Sequence, residues 1–401
     1  MTALHAHSAP PPTTAAPPTR TVHRLLLGAA GWSVIQLLIG LRWLLDPDSW
    51  PGFDDEGRVG LLAALHRTPS AWVVIGLAST GLVLAGLARL RPASRAVATA
   101  LAGLAGLLLV VSADVGVLML LGYLCAVVGP VTFLVVLVLG AARDRRARPW
   151  LVGVLALVAA GLASGVLRPG TVGRLAGELG ATFGERALAP AQLGLMLVGA
   201  ALFGTTAVLL RRSATGRCLV CGRPAARWTE PAAALRWGRI ATCIAVAGPV
   251  PYAMMRMTWL TPWPLGMPTD GELPAWLRLF GLGLGFAALG GAVLTLGLIR
   301  RWGEIWPSWV PVLRGRPVPV AVPVVAGGLV AIVLLVSSPG MIALGFHGVG
   351  DSELSGWLMM LLFPTLPWGL ALAAAVTAYA FRRRGACRDC GRGEHPLSVR
   401  A

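Results

Sequence analysis

Charge-free apolar runs recur from one end of the chain to the other, separated by short segments rich in Arg, Gly and Pro. A helix needs roughly 17–25 apolar residues to cross the hydrocarbon core of a bilayer. Runs of that length fall near 25–45, 71–88, 96–113, 117–142 and 149–167 in the first half of the chain. Five more fall near 191–210, 240–259, 275–299, 319–337 and 354–381. The pattern predicts an all-α, polytopic helical membrane protein with about ten transmembrane helices. The break at Asp114 is the weakest boundary, because 96–142 admits another division. Residues 1–24 are rich in Pro, Thr and Ala and too poor in apolar side chains to fold, so a disordered tail is expected there. The first apolar run comes late and ends in Trp43-Leu44-Leu45-Asp46, unlike a cleaved secretory signal. The expected organisation is a tail at 1–24, a membrane domain at 25–381 with a cytoplasmic Cys-bearing loop at 211–239, and a cytoplasmic tail at 382–401.

Composition sharpens this picture. Only 13% of the 401 residues are charged and 56% are hydrophobic, against about 25% charged in a soluble domain. An ordinary soluble protein is thereby excluded. The net charge of +17 would suggest nucleic acid on a soluble surface, but here all 34 basic residues are Arg and their placement follows the membrane. With the N-terminus inside, 26 Arg fall on cytoplasmic segments and 5 on outer ones, while twelve of the 17 acidic residues fall outside. The positive-inside rule therefore places both termini in the cytoplasm, and an odd number of spans would spoil the separation. The expected partner is the lipid bilayer of the cell membrane, and no nucleic acid is expected.

Four of the six cysteines form the most specific signal, Cys218-Leu219-Val220-Cys221-Gly222-Arg223 and Cys387-Arg388-Asp389-Cys390-Gly391-Arg392. A two-residue gap lets both thiolates of a pair turn toward one ion, and the following Gly lets the backbone fold back beneath it. A structural site needs four ligands, and both halves follow Arg-rich span ends on the face where thiols stay reduced. One structural zinc on Cys218, Cys221, Cys387 and Cys390 is predicted, with His395 a spare ligand; the alternative is two separate dithiols. Cys125 and Cys243, each alone inside a span, read as small core residues.

Three spans carry Pro near their middle, at Gly129-Pro130, at Gly248-Pro249-Val250-Pro251 and at Phe363-Pro364-Thr365-Leu366-Pro367. Pro removes a hydrogen-bond donor, and in transporters such breaks line the substrate site. A tolerated kink is the plainer reading of any one of them. Three Arg fall inside spans near their outer ends: Arg42, Arg256 and Arg278. Snorkelling to the headgroups explains each, and an outward cationic vestibule for a small anionic ligand is the functional alternative. No Asp, Glu or His sits mid-span, which weighs against a proton-coupled carrier. The outer acids Asp54-Asp55-Glu56 and the His347…Asp351…Glu353 group read as solvated loops, and Gly281-Leu-Gly283-Leu-Gly285 as a helix contact. An internal echo relates Thr206-Ala207, Arg211-Arg212 and Cys218 to Thr377-Ala378, Arg382-Arg383 and Cys387. A fainter one relates Arg42-Trp43-Leu44 to Arg256…Trp259-Leu260.

The loop Arg301-Trp-Gly-Glu-Ile-Trp-Pro-Ser-Trp-Val-Pro311, running on to Arg314-Gly-Arg316, resembles one found in uncharacterised multi-span membrane proteins of actinobacteria. Pro251-Tyr252-Ala-Met-Met-Arg256-Met-Thr-Trp259 is similar to a second segment of that group, and the likeness covers roughly residues 236–325. The group has no established activity, so the resemblance implies a topology and no chemistry. Read physically, Trp302, Trp306 and Trp309 are interfacial anchors, and Glu304 is expected to pair with Arg301 or Arg314. Two function classes stay open: a permease-like or small-molecule-binding protein, and a membrane regulator or scaffold recruiting a cytoplasmic protein partner through its zinc knuckle. An enzyme is the least favoured, since no acid–base pair is found.

Overall fold

A computed structural model describes residues 20–51, 53, 60–163, 169–184, 188–222, 227–266, 274–307, 310, 313–347, 356–385 and 387. Among them the chain is all-helical, with two isolated β-bridges and no strand. The helices are α1 (Arg20–Leu45), α2 (Leu61–Leu65), α3 (Arg67–Leu90), α4 (Arg95–Val111), α5 (Val115–Arg143), α6 (Arg148–Ala163) and α7 (Pro169–Gly184). They continue with α8 (Leu188–Ala214), α9 (Pro231–Ala247), α10 (Val250–Met257), α11 (Ala275–Leu296), α12 (Ala321–His347), α13 (Gly356–Leu362) and α14 (Thr365–Arg382). Seven units are long and apolar enough to cross a membrane: α1, α3, α8, α9 with α10, α11, α12, and α13 with α14. Shorter apolar helices cover Arg95–Val111, Val131–Arg143 and Arg148–Ala163.

Helices α1, α3, α4 and α8 each bury one stripe and turn apolar residues outward as well, the pattern of a helix solvated by lipid, whereas α6 buries no residue. In α1 the stripe is Val22, Leu26, Ala29, Ser33, Gln36, Gly40 and Trp43, at spacings of three and four, while Leu27, Val34, Leu38 and Leu41 are exposed. The expected tail boundary at residue 24 is therefore corrected: α1 starts at Arg20, because Val22 completes the buried stripe. Residues 1–19 lie outside the described residues. Ser94 caps α4 by accepting from Val97 N–H at 3.3 Å, and Asp114 caps α5 by accepting from Gly116 N–H at 2.5 Å. That cap explains why the run 96–142 divides at Asp114.

The helices form two bundles that share three successive contacts between neighbours. In the first, α3 lies on α1, α1 on α8, α8 on α4 and α4 again on α3. In the second, α11 lies on α9–α10, α9 on α14 and α14 on α12, and α5 closes the circuit by touching both α11 and α12. Small residues set the close approaches. Gly40 faces Ala71 and Ile75, Gly199 faces the Trp32 indole, Gly238 faces Ala378 and Gly248 faces Trp368. A Cβ at any of these would collide with its neighbour, so these helices approach as closely as small-residue packing in membranes allows. The order of neighbours supports the internal echo, with α1, α3, α4 and α8 corresponding to α9–α10, α11, α12 and α14. Burial shifts it by one residue: Phe203, Thr206 and Leu210 match Ala375, Ala378 and Arg382 on the buried faces.

Two elements differ from the sequence reading. The ninth expected span ends at 337, but α12 runs on to His347 with Pro339 inside it, since Met341-Ile-Ala-Leu-Gly-Phe346 continues the apolar run. Segment 168–190 is expected as a loop, and it contains α7, which rests on α11.

Candidate functional site

At the end of α8, Gly216 takes the left-handed conformation (φ +64°). Its N–H donates to Ser213 O at 3.1 Å and Arg217 N–H donates to Arg212 O at 2.9 Å, which closes the helix and turns the chain back. Cys218 follows at once. Gly222 (φ +57°) then donates its N–H to Cys218 O at 2.8 Å, a turn that brings Cys218 and Cys221 to one side. The Arg212 side chain donates to Leu219 O at 2.9 Å and occupies the space a Cβ on Gly222 would need. Gly is required there twice, by conformation and by room.

From the other bundle, the chain leaving α14 delivers Cys387, buried at 8% exposure. The Sγ atoms of Cys218 and Cys387 lie 3.8 Å apart, and those of Cys218, Cys221 and Cys387 all lie within 4.8 Å of one another. A disulfide would hold two sulfurs near 2.05 Å, and none of the described cysteines forms one. Thiolates at tetrahedral corners about 2.3 Å from a zinc ion stand about 3.8 Å apart. The three thiols can therefore hold a metal ion. Cys390 and His395 lie outside the described residues. Cys125 and Cys243 are exposed on the outer surfaces of α5 and α9, which corrects their reading as core residues.

A few residues before Cys387, α14 is locked to the 299–318 loop. Glu304 is buried and pairs with Arg382, with Arg383 Nη1 at 3.9 Å from its second oxygen. Arg382 also donates to Leu298 O at 2.7 Å, Tyr379 donates its hydroxyl to Gly303 O at 2.8 Å, and Arg383 donates to Val318 O at 3.0 Å. The loop itself is a hairpin, with Trp306 N–H donating to Arg316 O at 2.9 Å and Val318 N–H to Glu304 O at 2.8 Å. The partner expected for Glu304 was a loop Arg; Arg314 instead stands 3.9 Å from Asp144. Trp309 lies outside the described residues.

The second candidate is on α10. Gly248 and Pro249 join α9 to α10, with Pro251 in the first turn of α10. Pro364 (φ −75°, ψ 66°) separates α13 from α14, and Thr365 N–H donates to Phe363 O at 2.8 Å across it, an inverse γ-turn. Pro367 falls in the first turn of α14. The two breaks face each other: Trp368 packs on Gly248, and the Tyr252 and Phe363 rings meet edge-on at 4.7 Å. Aromatic rings fill this junction. Pro130 is elsewhere, within α5, which runs through it without a break.

Arg256 stands one turn beyond. Its Nε donates to the Tyr252 hydroxyl at 3.0 Å, and its guanidinium carbon lies 5.0 Å from the Tyr252 ring centroid and 4.0 Å from that of Trp259. Trp259 is fixed in turn by donating Nε1–H to Leu265 O at 3.0 Å. Among the described residues no carboxylate comes within ion-pair distance of Arg256, and its terminal nitrogens have no hydrogen-bond partner. Arg278 is half-buried on the adjoining α11. Arg42 belongs to the other bundle, where its exposed side chain stands 3.7 Å from Asp46.

Polar groups are also buried inside the helical bundles. Gln192 donates its amide to Gln36 Oε1 at 2.7 Å inside the first bundle, where Gln36 Nε2 and Ser33 Oγ have no partner. Asp114, expected on the outer surface, is 2% exposed, and its carbonyl accepts from Ser337 Oγ of α12 at 3.3 Å. Gln36 and Ser33 fall on the apolar stripe of α1, the only sequence signal that could have marked them. No family model, no curated protein and no solved structure matches the chain.

Proposed function

We propose that the chain is a ten-span protein of the cell membrane with both termini in the cytoplasm, and that it is permease-like, binding a small anionic molecule from the outer side. The observation carrying this reading is Arg256, a guanidinium gripped by two aromatic rings with its terminal nitrogens unpaired among the described residues. A snorkelling Arg needs no such grip. Held rigid, the fork is preorganised for a carboxylate or phosphate oxygen pair. The paired helix breaks at Pro249 and Pro364, which meet at one junction next to Arg256, resemble the discontinuous helices of transporters.

One structural zinc on Cys218, Cys221, Cys387 and Cys390 completes the proposal. It would clamp the exits of α8 and α14 on the cytoplasmic face and so fix one bundle against the other. The likeness of the 236–325 segment to the actinobacterial membrane proteins is part of the same proposal and carries no activity with it.

The test is Arg256→Lys in purified protein, with thermal shifts measured across a panel of small carboxylates and phosphates. The proposal expects an anion that stabilises the wild type and stabilises the Lys variant far less, because an ammonium cannot reproduce the fork. If every anion leaves both proteins unchanged, the site is wrong. A scaffold role is the second reading, favoured by Val220, which lies between Cys218 and Cys221 and is 63% exposed. Capture of one cytoplasmic protein that is lost on Val220→Asp would support it.

A further inference from the structure

Where the two bundles meet near the Asp114 end of α4, the helices part around a cavity of about 480 Å³. Its walls are Leu109 and Val110 from α4, Ala113 just beyond its end, Leu335, Val336, Pro339 and Ala343 from α12, and Leu61 at the start of α2. Small residues keep it open, since Gly60, Ala113, Gly340 and Ala343 all face it. The Asp114 to Ser337 hydrogen bond spans from α4's end to α12 beside it and holds that separation. Pro339 removes the N–H that would have bonded the Leu335 carbonyl, so α12 loses one rung of its ladder within the lining.

We propose that this cavity holds one acyl chain of a bilayer phospholipid. Every lining side chain is apolar, so water entering it would find too few hydrogen-bond partners to stay. The cavity is continuous with the lipid-facing surface: Val110 is 58% exposed and Leu107, one turn back on α4, is 55% exposed. On the α12 side the exposed apolar belt of Val325, Leu329 and Ile332 leads toward it. A groove on that surface is filled by what surrounds it, and the surrounding solvent is hydrocarbon. Along α12 the lining runs from Leu335 to Ala343, about 12 Å at 1.5 Å per residue. That shape suits part of a chain lying along the helix. The lipid would replace the packing that the parted helices forgo, joining the two bundles on the outer side as the cysteine cluster joins them on the other.

The experiment uses the full chain in vesicles of phosphatidylethanolamine and phosphatidylglycerol, the latter carrying a diazirine on one acyl chain. After illumination, labelled residues are mapped by mass spectrometry. Labelling concentrated on 109–113 and 335–343 is the expected result, and labelling spread evenly over these and the belt at Leu107 and Val325 overturns the proposal. Delipidated wild type should also retain one phospholipid in native mass spectrometry, and Ala343→Phe should lose it while Leu107→Phe keeps it. Retention unchanged in a folded Ala343→Phe protein overturns the proposal as well. Should that variant not fold, the wild-type labelling map decides.

Discussion

Glu304 and Arg382 stand 78 residues apart in sequence and pair where water is nearly excluded, with side chains 9% and 5% exposed. Arg383 shares the same carboxylate, so one acid holds two cations at the end of α14. Removing the acid would strand both. Breaking a buried pair by deleting one partner costs about 3–5 kcal/mol, whereas replacing both by apolar residues of similar volume is often neutral. Glu304→Gln should lower the thermal midpoint in detergent markedly, and Glu304→Leu with Arg382→Met should recover much of the loss. Equal midpoints for wild type and Glu304→Gln would mean that the pair is not formed.

The thiol cluster makes a stoichiometric prediction. Protein purified under reducing conditions should carry close to one zinc per chain by elemental analysis, and Cys390→Ser should lose it while still inserting. Structural zinc in small peptides is worth about 10–16 kcal/mol of apparent binding free energy, so a chelator should loosen the cytoplasmic face before it touches the helices. Wild type without metal would reduce the site to two neighbouring dithiols.

The Gln36–Gln192 bond tests the balance of buried polarity in the first bundle. Losing one partner exposes the other's amide to an apolar core at about 1–3 kcal/mol, while replacing both can be nearly neutral. Gln192→Leu should therefore destabilise more than the double variant Gln36→Leu with Gln192→Leu. Additive effects of the two single changes would show that the side chains do not meet.

Topology has a direct readout. Alkaline phosphatase fused after Leu61 should be active, and a fusion after Arg227 should be inactive. The opposite pattern would reverse the orientation drawn from the Arg distribution.

Seven of the ten apolar runs coincide with helices long and apolar enough to cross a membrane, and those at 96–113, 117–142 and 149–167 fall on shorter apolar helices, because hydrocarbon solvation writes itself into composition over a full span. The Cys218–Cys387 meeting was legible for a similar reason: two CxxCG halves at the ends of Arg-flanked helices leave few places to go. The Pro249 and Pro364 breaks were visible too, though nothing local to either says that Trp368 would seat on Gly248. Other features depend on tertiary context and leave no local mark in the sequence. Glu304 sits in a loop with four Arg within reach along the chain, and its actual partners are set by how α14 descends on that loop. The ninth apolar run ends at 337 in the sequence, yet α12 continues through Pro339 to His347. Gln36 looks like an ordinary member of an apolar stripe until Gln192 arrives from 156 residues away.

The matching order of helices in the two bundles changes what the cysteine cluster is. Cys218 and Cys387 follow corresponding helices, so each half of the chain brings thiol to the cluster from the same station in its fold, Cys218 with Cys221 from one and Cys387 from the other. A chain half this long, with a single CxxC after its last helix, would have only half a site. It could complete four-fold coordination by meeting a second copy of itself across a twofold axis. Joined in one polypeptide, the halves need not find each other by diffusion, and each is free to diverge. The first half is then free to carry α5, α6 and α7 without a counterpart, and only the second to carry the Glu304 lock.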